Sequence, residues 1–213
     1  MTTFPKTSRR NFIKIAATAS GGLLLGFHWS SSEASAIRVV GSVADDISFN
    51  SYLSISPEGV ITIFSPNPEL GQNIKTSFPM IVAEELDADW SKVKVVQAAL
   101  DTKKYERQVT GGSGAVPHSW ERLRKAGATA RHMLIEAAAK RWNVPATTLT
   151  AENSFVIDKA GNRKLSYGEL ASEASSVTIP ADVKLKEQKD FKLIGTAVRN
   201  VDNKEMITGK PLY

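Results

Sequence analysis

Two short stretches near residue 60 alternate apolar and polar side chains, as strands do when one face is buried. The first runs from Tyr52 to Ser56 and the second from Val60 to Phe64, with Pro57-Glu58-Gly59 between them. A period of two predicts strands, and the proline and glycine predict a turn, so we expect a β-hairpin here. The preceding residues, 37–50, show no clear period and are interpreted as a linker.

A helix and a third strand are predicted after the hairpin. The helix follows the glycine turn Pro68–Thr76 and ends near Leu86. Pro79 lies in its first turn or kinks it, because proline lacks the N–H that a helix interior needs. Val93–Ala98 is apolar enough to be the next strand.

A long amphipathic helix is predicted in the middle of the chain. It starts near Trp120, with Ser119 as its N-terminal cap, and continues to Trp142 because apolar residues recur at helical spacing. Gly127 and several alanines give it a face of small side chains, which suits close packing on a sheet. The long loop before it, 101–119, is expected to be functional, because long ordered loops in compact domains usually are.

The rest of the pattern completes a mixed architecture. Phe155–Asp158 and a strand near Lys164 flank a turn, and Ser166 with Glu169 forms a capping box that opens a short helix. From Val177 the chain is irregular and rich in lysine. Because helices and strands are interleaved, we predict an α+β fold with a mixed sheet and packed helices.

Residues 1–36 have the features of an export signal. The twin-arginine pair Arg9 and Arg10 is followed by a weakly apolar stretch, Ile15 to Phe27, and by small residues at 34–36 that offer a cleavage site. The apolar stretch is short for a membrane span of roughly 20 residues. We expect twin-arginine export to the periplasm, with membrane contact only through this segment, as a tether where it is not cleaved. That pathway carries folded proteins, which favours a cofactor inserted before transport.

Composition narrows the partners. The formal charge is +5, but four of the 27 basic residues and one of the 22 acidic residues lie within 1–36, so the remainder carries only +2. There is no basic stripe with interleaved aromatic residues, which argues against nucleic acid as a partner. The chain has no cysteine, and therefore no disulfide and no thiolate ligands for an iron–sulfur cluster of its own. Any redox role would require an electron partner on another chain.

Two glycine turns lead into the predicted helices and hold the candidate cofactor-binding residues. These residues are Gly71, Gln72, Thr110, Gly111, Gly112 and Ser113. Main-chain N–H groups at a helix start are unpaired and can hold an anion, so two such turns suggest a polyanionic cofactor lying across both. The plainer alternatives are a flexible loop at the second turn and an exposed, unengaged Gln72 at the first.

Other reactive side chains are interpreted as structural. Glu84 and Glu85 are neighbours on a helix and point about 100° apart, so a solvated face is favoured over acid–base chemistry. His118 and His132 lack the ligand spacing of a zinc or iron site. A hydrolytic pair of Ser113 with His118 has no identifiable third member. We therefore assign no catalytic residue and no metal ligand.

Together, several segments resemble one family, the molybdopterin-binding large subunit of the xanthine dehydrogenase superfamily. They are Asn67–Trp90, Thr110–Gly114, Trp120–Ala128, Tyr167–Leu170 and Thr208–Lys210. Within that family the chain is similar to the isoquinoline 1-oxidoreductase beta-subunit type. The resemblance covers essentially the whole chain, including the twin-arginine leader.

The resemblance implies a molybdenum hydroxylase, a class of oxidoreductase that includes aldehyde oxidase. Its cofactor would be molybdenum–molybdopterin, usually the cytosine dinucleotide form in bacterial members. It would hydroxylate an N-heterocycle or an aldehyde carbon with oxygen from water, and pass electrons to a small [2Fe-2S] iron–sulfur subunit. By motif, Gln72 would approach the metal–pterin centre, and Gly111, Gly112 and Ser113 would hold the pyrophosphate. Residues 37–176 would be a partial molybdopterin cofactor-binding domain.

Two departures from the family pattern matter. Asn73 stands where the family usually has glycine, and asparagine tolerates the left-handed backbone that the turn needs. Family subunits are also much longer, and their later glycine-rich loop and general-base glutamate have no counterpart here. We expect 177–213 to be a connector toward a missing domain, carried by a separate chain or lost, and the fragment alone to be inactive. The alternative is an exported, non-catalytic binding protein derived from the same fold.

Overall fold

A computed structural model describes residues 23–26 and 51–210 of the chain. Strand β1, Leu23–Gly26, runs antiparallel to strand β2, Ser51–Ile55. Apart from β1, the predicted signal segment lies outside the described residues, as does the predicted linker 37–50. Arg9 and Arg10 are therefore known only from the sequence.

The predicted hairpin is present. Strand β3, Ile61–Ser65, runs antiparallel to β2, with Leu53 opposite Ile63. Both of these side chains are fully buried. The alternation in the sequence therefore did mark one buried face, with a turn at Gly59 in the left-handed region that glycine tolerates.

A helical crossover makes the sheet mixed, as predicted. Helix α1, Ile74–Leu86, leaves β3 and returns the chain to strand β4, Val93–Gln97, which runs parallel to β3. The strand order is β1-β2-β3-β4. Pro79 lies well inside α1, beyond its first turn. The first glycine turn connects β3 to α1, which places it at the end of a central strand.

The long helix α2, Ala115–Trp142, begins five residues earlier than predicted. Its N-terminal cap is Gly114, and Ser119 is a buried residue inside the helix, so the cap assigned to Ser119 was wrong. Pro117 did not delay the helix, because it falls in the first turn, where a missing N–H costs nothing. The second glycine turn therefore leads directly into α2.

On the small-residue face of α2, Gly127 packs on helix α1, where the sequence predicted a sheet. A Cβ atom placed on Gly127 would lie 2.2 Å from the carbonyl oxygen of Val82. The two helix backbones can approach this closely only because Gly127 has no side chain. Both helices share one hydrophobic core with β2 and β3. The large, fully buried side chains of this core include Leu53, Ile63, Phe78, Leu86, Leu123 and Met133.

A second, antiparallel sheet follows α2. Its strands are β5, Thr150–Glu152, β6, Phe155–Asp158, and β7, Arg163–Ser166. The predicted capping box of Ser166 is present at the start of helix α3, Tyr167–Ala174. Local sequence rules were sufficient in this part of the chain.

Helix α3 ties the second sheet to the rest of the fold. The hydroxyl of Tyr167 donates to the main-chain oxygen of Leu86 at 2.6 Å, and the ring is fully buried. Burial raises the pKa of this hydroxyl well above its usual range, so it stays protonated and remains a donor. A Cβ on Gly168 would lie 2.3 Å from the carbonyl oxygen of Pro57, which shows that α3 also packs on the hairpin turn.

The solvated face predicted for Glu84 and Glu85 was wrong, because both carboxylates are buried. Glu84 Oε2 accepts hydrogen bonds from the main-chain N–H groups of residues 192–194 at 2.7–3.0 Å, and its Oε1 lies 2.9 Å from Lys186 Nζ. Glu85 Oε1 accepts from Arg124 Nε at 2.7 Å. Burial acts to raise the pKa of Glu84, but these hydrogen bonds outweigh it and the pKa lies below its ordinary value.

The segment predicted as an irregular connector is thus held against α1. It ends in a short helix α4, Asn203–Ile207, just before which Asp202 pairs with Lys75 Nζ at 2.7 Å. Within the described part of the chain, no helix combines the length and the apolar character that a membrane crossing requires.

Candidate functional site

The two glycine turns lie side by side and share one acceptor. The carbonyl oxygen of Pro68 accepts a hydrogen bond from Gln72 Nε2 at 3.0 Å and another from Thr110 Oγ1 at 2.8 Å. The buried side chain of Asn67 adds a second link, since its Nδ2 donates to the carbonyl oxygen of Val109 at 2.8 Å. The structure therefore brings Gln72 and Thr110, which are far apart in sequence, to one place on the surface.

The first turn does not offer the open N–H groups that were expected at a helix start. The side chain of Glu69, only 7% exposed, accepts from the main-chain N–H groups of Gly71 at 2.7 Å, Asn73 at 3.0 Å and Lys75 at 2.9 Å. Burial acts to raise the pKa of Glu69, but these main-chain donors outweigh it and the pKa lies below its ordinary value. The chain's own carboxylate therefore occupies the anion position at the start of α1.

Gln72 is exposed but engaged within its own turn. Its Oε1 accepts from the main-chain N–H of Leu70 at 2.6 Å, while its Nε2 donates to Pro68. Asn73 has φ 68°, so the left-handed backbone expected at this position is present without glycine. Each of these atoms makes one hydrogen bond, so Nε2 keeps a second N–H and Oε1 a second lone pair for a ligand.

The second turn is open. Gly112 and Ser113 have φ of 60° and 53°, and both residues are exposed. Their main-chain N–H groups donate to no acceptor within residues 51–210. Serine in the left-handed region is uncommon, and such conformations often persist at binding sites. The turn lies at the N-terminus of α2, a helix of 28 residues whose dipole favours an anion there.

Arg107 lies beside this turn and was not identified from the sequence. Its Nη2 is 3.7 Å from the position that a Cβ on Gly114 would take, and its Nε is buried without a hydrogen-bond partner. No acidic residue of the described chain forms an ion pair with Arg107. The neighbouring Glu106 pairs with Arg122 instead. One arginine in a loop carries no motif, so only the folded geometry identifies it.

The side chain of His118 packs against the last residue of the second turn, Gly114. His118 Nδ1 lies 2.5 Å from the carbonyl oxygen of Gly114, and a Cβ on Gly114 would come within 2.7 Å of that nitrogen. His118 therefore faces Gly114 and makes no hydrogen bond to Ser113. This geometry gives no support to a hydrolytic Ser113–His118 pair.

The arrangement fits a ligand that carries phosphate groups. Open main-chain donors, a helix N-terminus and a guanidinium without a partner are the groups that bind such anions in proteins. The pyrophosphate of the molybdopterin cofactor implied by the resemblance has that chemistry, and the resemblance assigns Gly111, Gly112 and Ser113 to it. The described residues contain no cluster of three or more histidine, cysteine, aspartate or glutamate side chains suited to a metal ion.

Comparison with known proteins shows that the chain is similar in sequence to parts of two longer oxidoreductases. The chain is 35% identical to the beta subunit of isoquinoline 1-oxidoreductase from Brevundimonas diminuta, over 82% of this chain and 22% of that protein. It is 31% identical to a membrane-bound aldehyde dehydrogenase (pyrroloquinoline-quinone) from Gluconacetobacter polyoxogenes, over 97% of this chain and 27% of that protein. The chain thus spans about a quarter of the length of these relatives.

Among solved structures, quinoline 2-oxidoreductase from Pseudomonas putida 86 is 20% identical, with a TM-score of 0.47. The match covers 61% of this chain and 18% of that one. The family assignment does not depend on it, because residues 26–210 match the family described as the molybdopterin cofactor-binding domain. That match includes both glycine turns, α1, α2 and the segment held by Glu84. The chain therefore belongs to the molybdopterin cofactor-binding domain family.

Proposed function

We propose that this chain is the N-terminal, cofactor-holding part of a molybdenum hydroxylase large subunit. The bound cofactor would supply the oxidation, hydroxylating an N-heterocycle or an aldehyde carbon with water as the oxygen source. The names of the two relatives fit these two substrate classes. The chain's own task is to hold and orient the cofactor.

One observation carries the proposal: Gln72 and Thr110 share the carbonyl oxygen of Pro68. These two hydrogen bonds link the turns, and we infer that a ligand on the open donors of Gly112 and Ser113 would extend toward Gln72, which would approach the metal–pterin centre. A cofactor with a pyrophosphate tail at one end can then lie across both turns. The tail would rest on the second turn only, because Glu69 occupies the N–H groups of the first.

The complete enzyme would need other polypeptides. The relatives are about four times as long as this chain, so we propose that it is inactive alone and completes its site with a further chain or domain. With no cysteine available, electrons would leave through a partner that carries [2Fe-2S] clusters. We further propose the cytosine dinucleotide form of the cofactor and twin-arginine export to the periplasm, the latter on the motif of Arg9 and Arg10.

The test is to purify the protein with its natural partners through a tag on this chain and to measure bound molybdenum and cytidine nucleotide. We expect both to be present in proportion to the complex, and an Arg9→Lys, Arg10→Lys variant to stay in the cytosol. Molybdenum absent from an intact, active complex would contradict the proposal. A quinone absorbance in its place would favour the cofactor in the second relative's name.

A matched pair of variants assigns the cofactor to the second turn. Gly112→Ala forces a Cβ onto a backbone with φ 60°, and Gly195→Ala does the same at φ 93° in a distant segment; neither Cβ meets a neighbouring atom. We expect the first variant to lose bound molybdenum and the second to keep it. Equal loadings in both variants would contradict a cofactor site at Gly112.

A further inference from the structure

We propose that Arg107 binds the phosphate groups of the ligand held at the second glycine turn. The inference rests on the proposed function, since it names the cation that recognises the phosphate end of that cofactor. It adds a residue that no motif or comparison assigns to the site.

Position is the first argument. Arg107 Nη2 lies 3.7 Å from the position that a Cβ atom on Gly114 would take, and Gly114 is the N-terminal cap of α2. The neighbouring residues Gly112 and Ser113 are exposed, and their N–H groups have no acceptor in the described chain. An anion seated on those donors would lie within reach of the guanidinium. Main-chain donors and a guanidinium on the same oxygens are a common way to bind phosphate.

The second argument is that no polar group of residues 51–210 engages the Arg107 side chain. Its Nε is buried and makes no hydrogen bond, and no ion pair to it exists among residues 51–210. Arg122 also has a buried, unpaired Nε, but its guanidinium pairs with Glu106, and Arg124 pairs with Glu85. A buried N–H donor without an acceptor is costly, so proteins rarely retain one unless a ligand or a water completes it.

Chemistry defines the ligand. A planar guanidinium with several donors matches a phosphate oxygen pair, and a lysine at the same position would supply charge without that geometry. We therefore assign to Arg107 a diphosphate group, as in a dinucleotide or pterin-nucleotide cofactor. A neutral ligand would leave the charge as unpaired as it is now.

The experiment is calorimetric titration of the full-length protein with inorganic pyrophosphate and, separately, with cytidine diphosphate. Loss of a charge-assisted hydrogen bond predicts that Arg107→Gln weakens binding of both probes about tenfold or more. Arg107→Lys should lose less. Arg199→Gln removes an exposed arginine elsewhere and should leave affinity within about twofold of wild type.

Two results would overturn the inference, and they are distinguishable. If Arg107→Gln binds pyrophosphate as tightly as wild type while Gly112→Ala does not bind it, the site stands and Arg107 is not part of it. If wild type binds neither probe, both the inference and the phosphate site of the proposed function fail. Circular dichroism of each variant confirms that a change in affinity is not a change in fold.

Discussion

The two glycine turns both lie just before a helix, but they differ in whether their main-chain N–H groups already have an acceptor. Each precedes a helix and each contains a left-handed residue, Asn73 in the first and Ser113 in the second. At the first turn, the Glu69 carboxylate accepts three main-chain N–H groups. At the second turn, the N–H groups of Gly112 and Ser113 have no acceptor in residues 51–210, and Arg107 lies beside the next residue, Gly114.

This difference shows that a glycine turn before a helix predicts the backbone conformation, but it does not predict that the main-chain N–H groups are free to bind a ligand. Whether the N–H groups are available depends on whether the chain supplies its own anion. Glu69 precedes Gly71 by two residues and folds back, whereas Thr110 precedes Gly112 and points to Pro68 instead. The first turn therefore supports the fold with its own carboxylate, and the second is the turn at which we propose that an anion binds.

The largest expected effect comes from separating the two helices that carry the turns. Gly127→Ala places a Cβ 2.2 Å from the carbonyl oxygen of Val82, so the α1–α2 contact must open. We expect the free energy of unfolding to fall by about 3 kcal/mol, measured by urea denaturation. Gly111→Ala is the matched control, because its Cβ meets nothing and should cost well under about 1 kcal/mol. Equal stability of the two variants would contradict this packing.

The next effect converts the first turn into an open one. Glu69→Ala leaves the N–H groups of Gly71, Asn73 and Lys75 without their acceptor, and we expect a loss of about 2 kcal/mol. Inorganic phosphate should then raise the melting temperature of this variant more than that of wild type, because an anion can replace the carboxylate. Glu121→Ala, at an exposed helix position, should respond to phosphate as wild type does. A phosphate response identical in Glu69→Ala and wild type would count against a self-occupied turn.

A smaller effect appears in acid. The pKa of Glu69 lies below its ordinary value of 4.5, so its ionised form stabilises the fold fully above that value and progressively less as pH falls through the lowered pKa. Glu69→Gln lacks this contribution. We expect the stability difference between wild type and Glu69→Gln to shrink below about pH 4.5, as measured by urea denaturation at several pH values. A difference independent of pH would show that the carboxylate charge is not what holds the turn.

The smallest effect tests the link between the turns. Thr110→Val removes the hydrogen bond to Pro68 and should cost about 1 kcal/mol, with faster amide exchange at Gly114, whose N–H donates to the carbonyl oxygen of Gly111 within the second turn. Thr148→Val removes a similar bond, 2.8 Å to the carbonyl oxygen of Pro145, at the far end of α2. That control should lose similar stability and leave exchange at the second turn unchanged. The same exchange pattern in both variants would mean that Thr110 does not link the turns.

Local rules predicted much of the fold. Alternation gave the hairpin, and Ser166 with Glu169 gave the start of α3, because each depends on residues close in sequence. The start of α2 was predicted too late because serine is a common N-terminal cap and Ser119 was assigned that role. The helix in fact begins at Ala115, and Pro117 is tolerated because it lies in the first turn. The family itself was evident from the combined motifs and is confirmed by the match over residues 26–210.

The features that could not be predicted from the sequence depend on contacts between residues far apart in the chain. Glu84 and Glu85 are buried because Lys186 and residues 192–194, about 100 positions later, supply their donors. Arg107 became visible only when the fold placed it beside Gly114. Glu69 did carry a signal, since negative charge is favoured near the N-terminus of a helix.

The measurement that tests the central claim most directly is a titration of the isotope-labelled protein with pyrophosphate, followed through its amide resonances. We predict saturable shifts at Gly112, Ser113 and Ala115, with Gly71, Asn73 and Lys75 unchanged because Glu69 already occupies their N–H groups. Shifts at the first turn in place of the second, or at neither, would contradict the assignment of the open turn as the anion-binding surface.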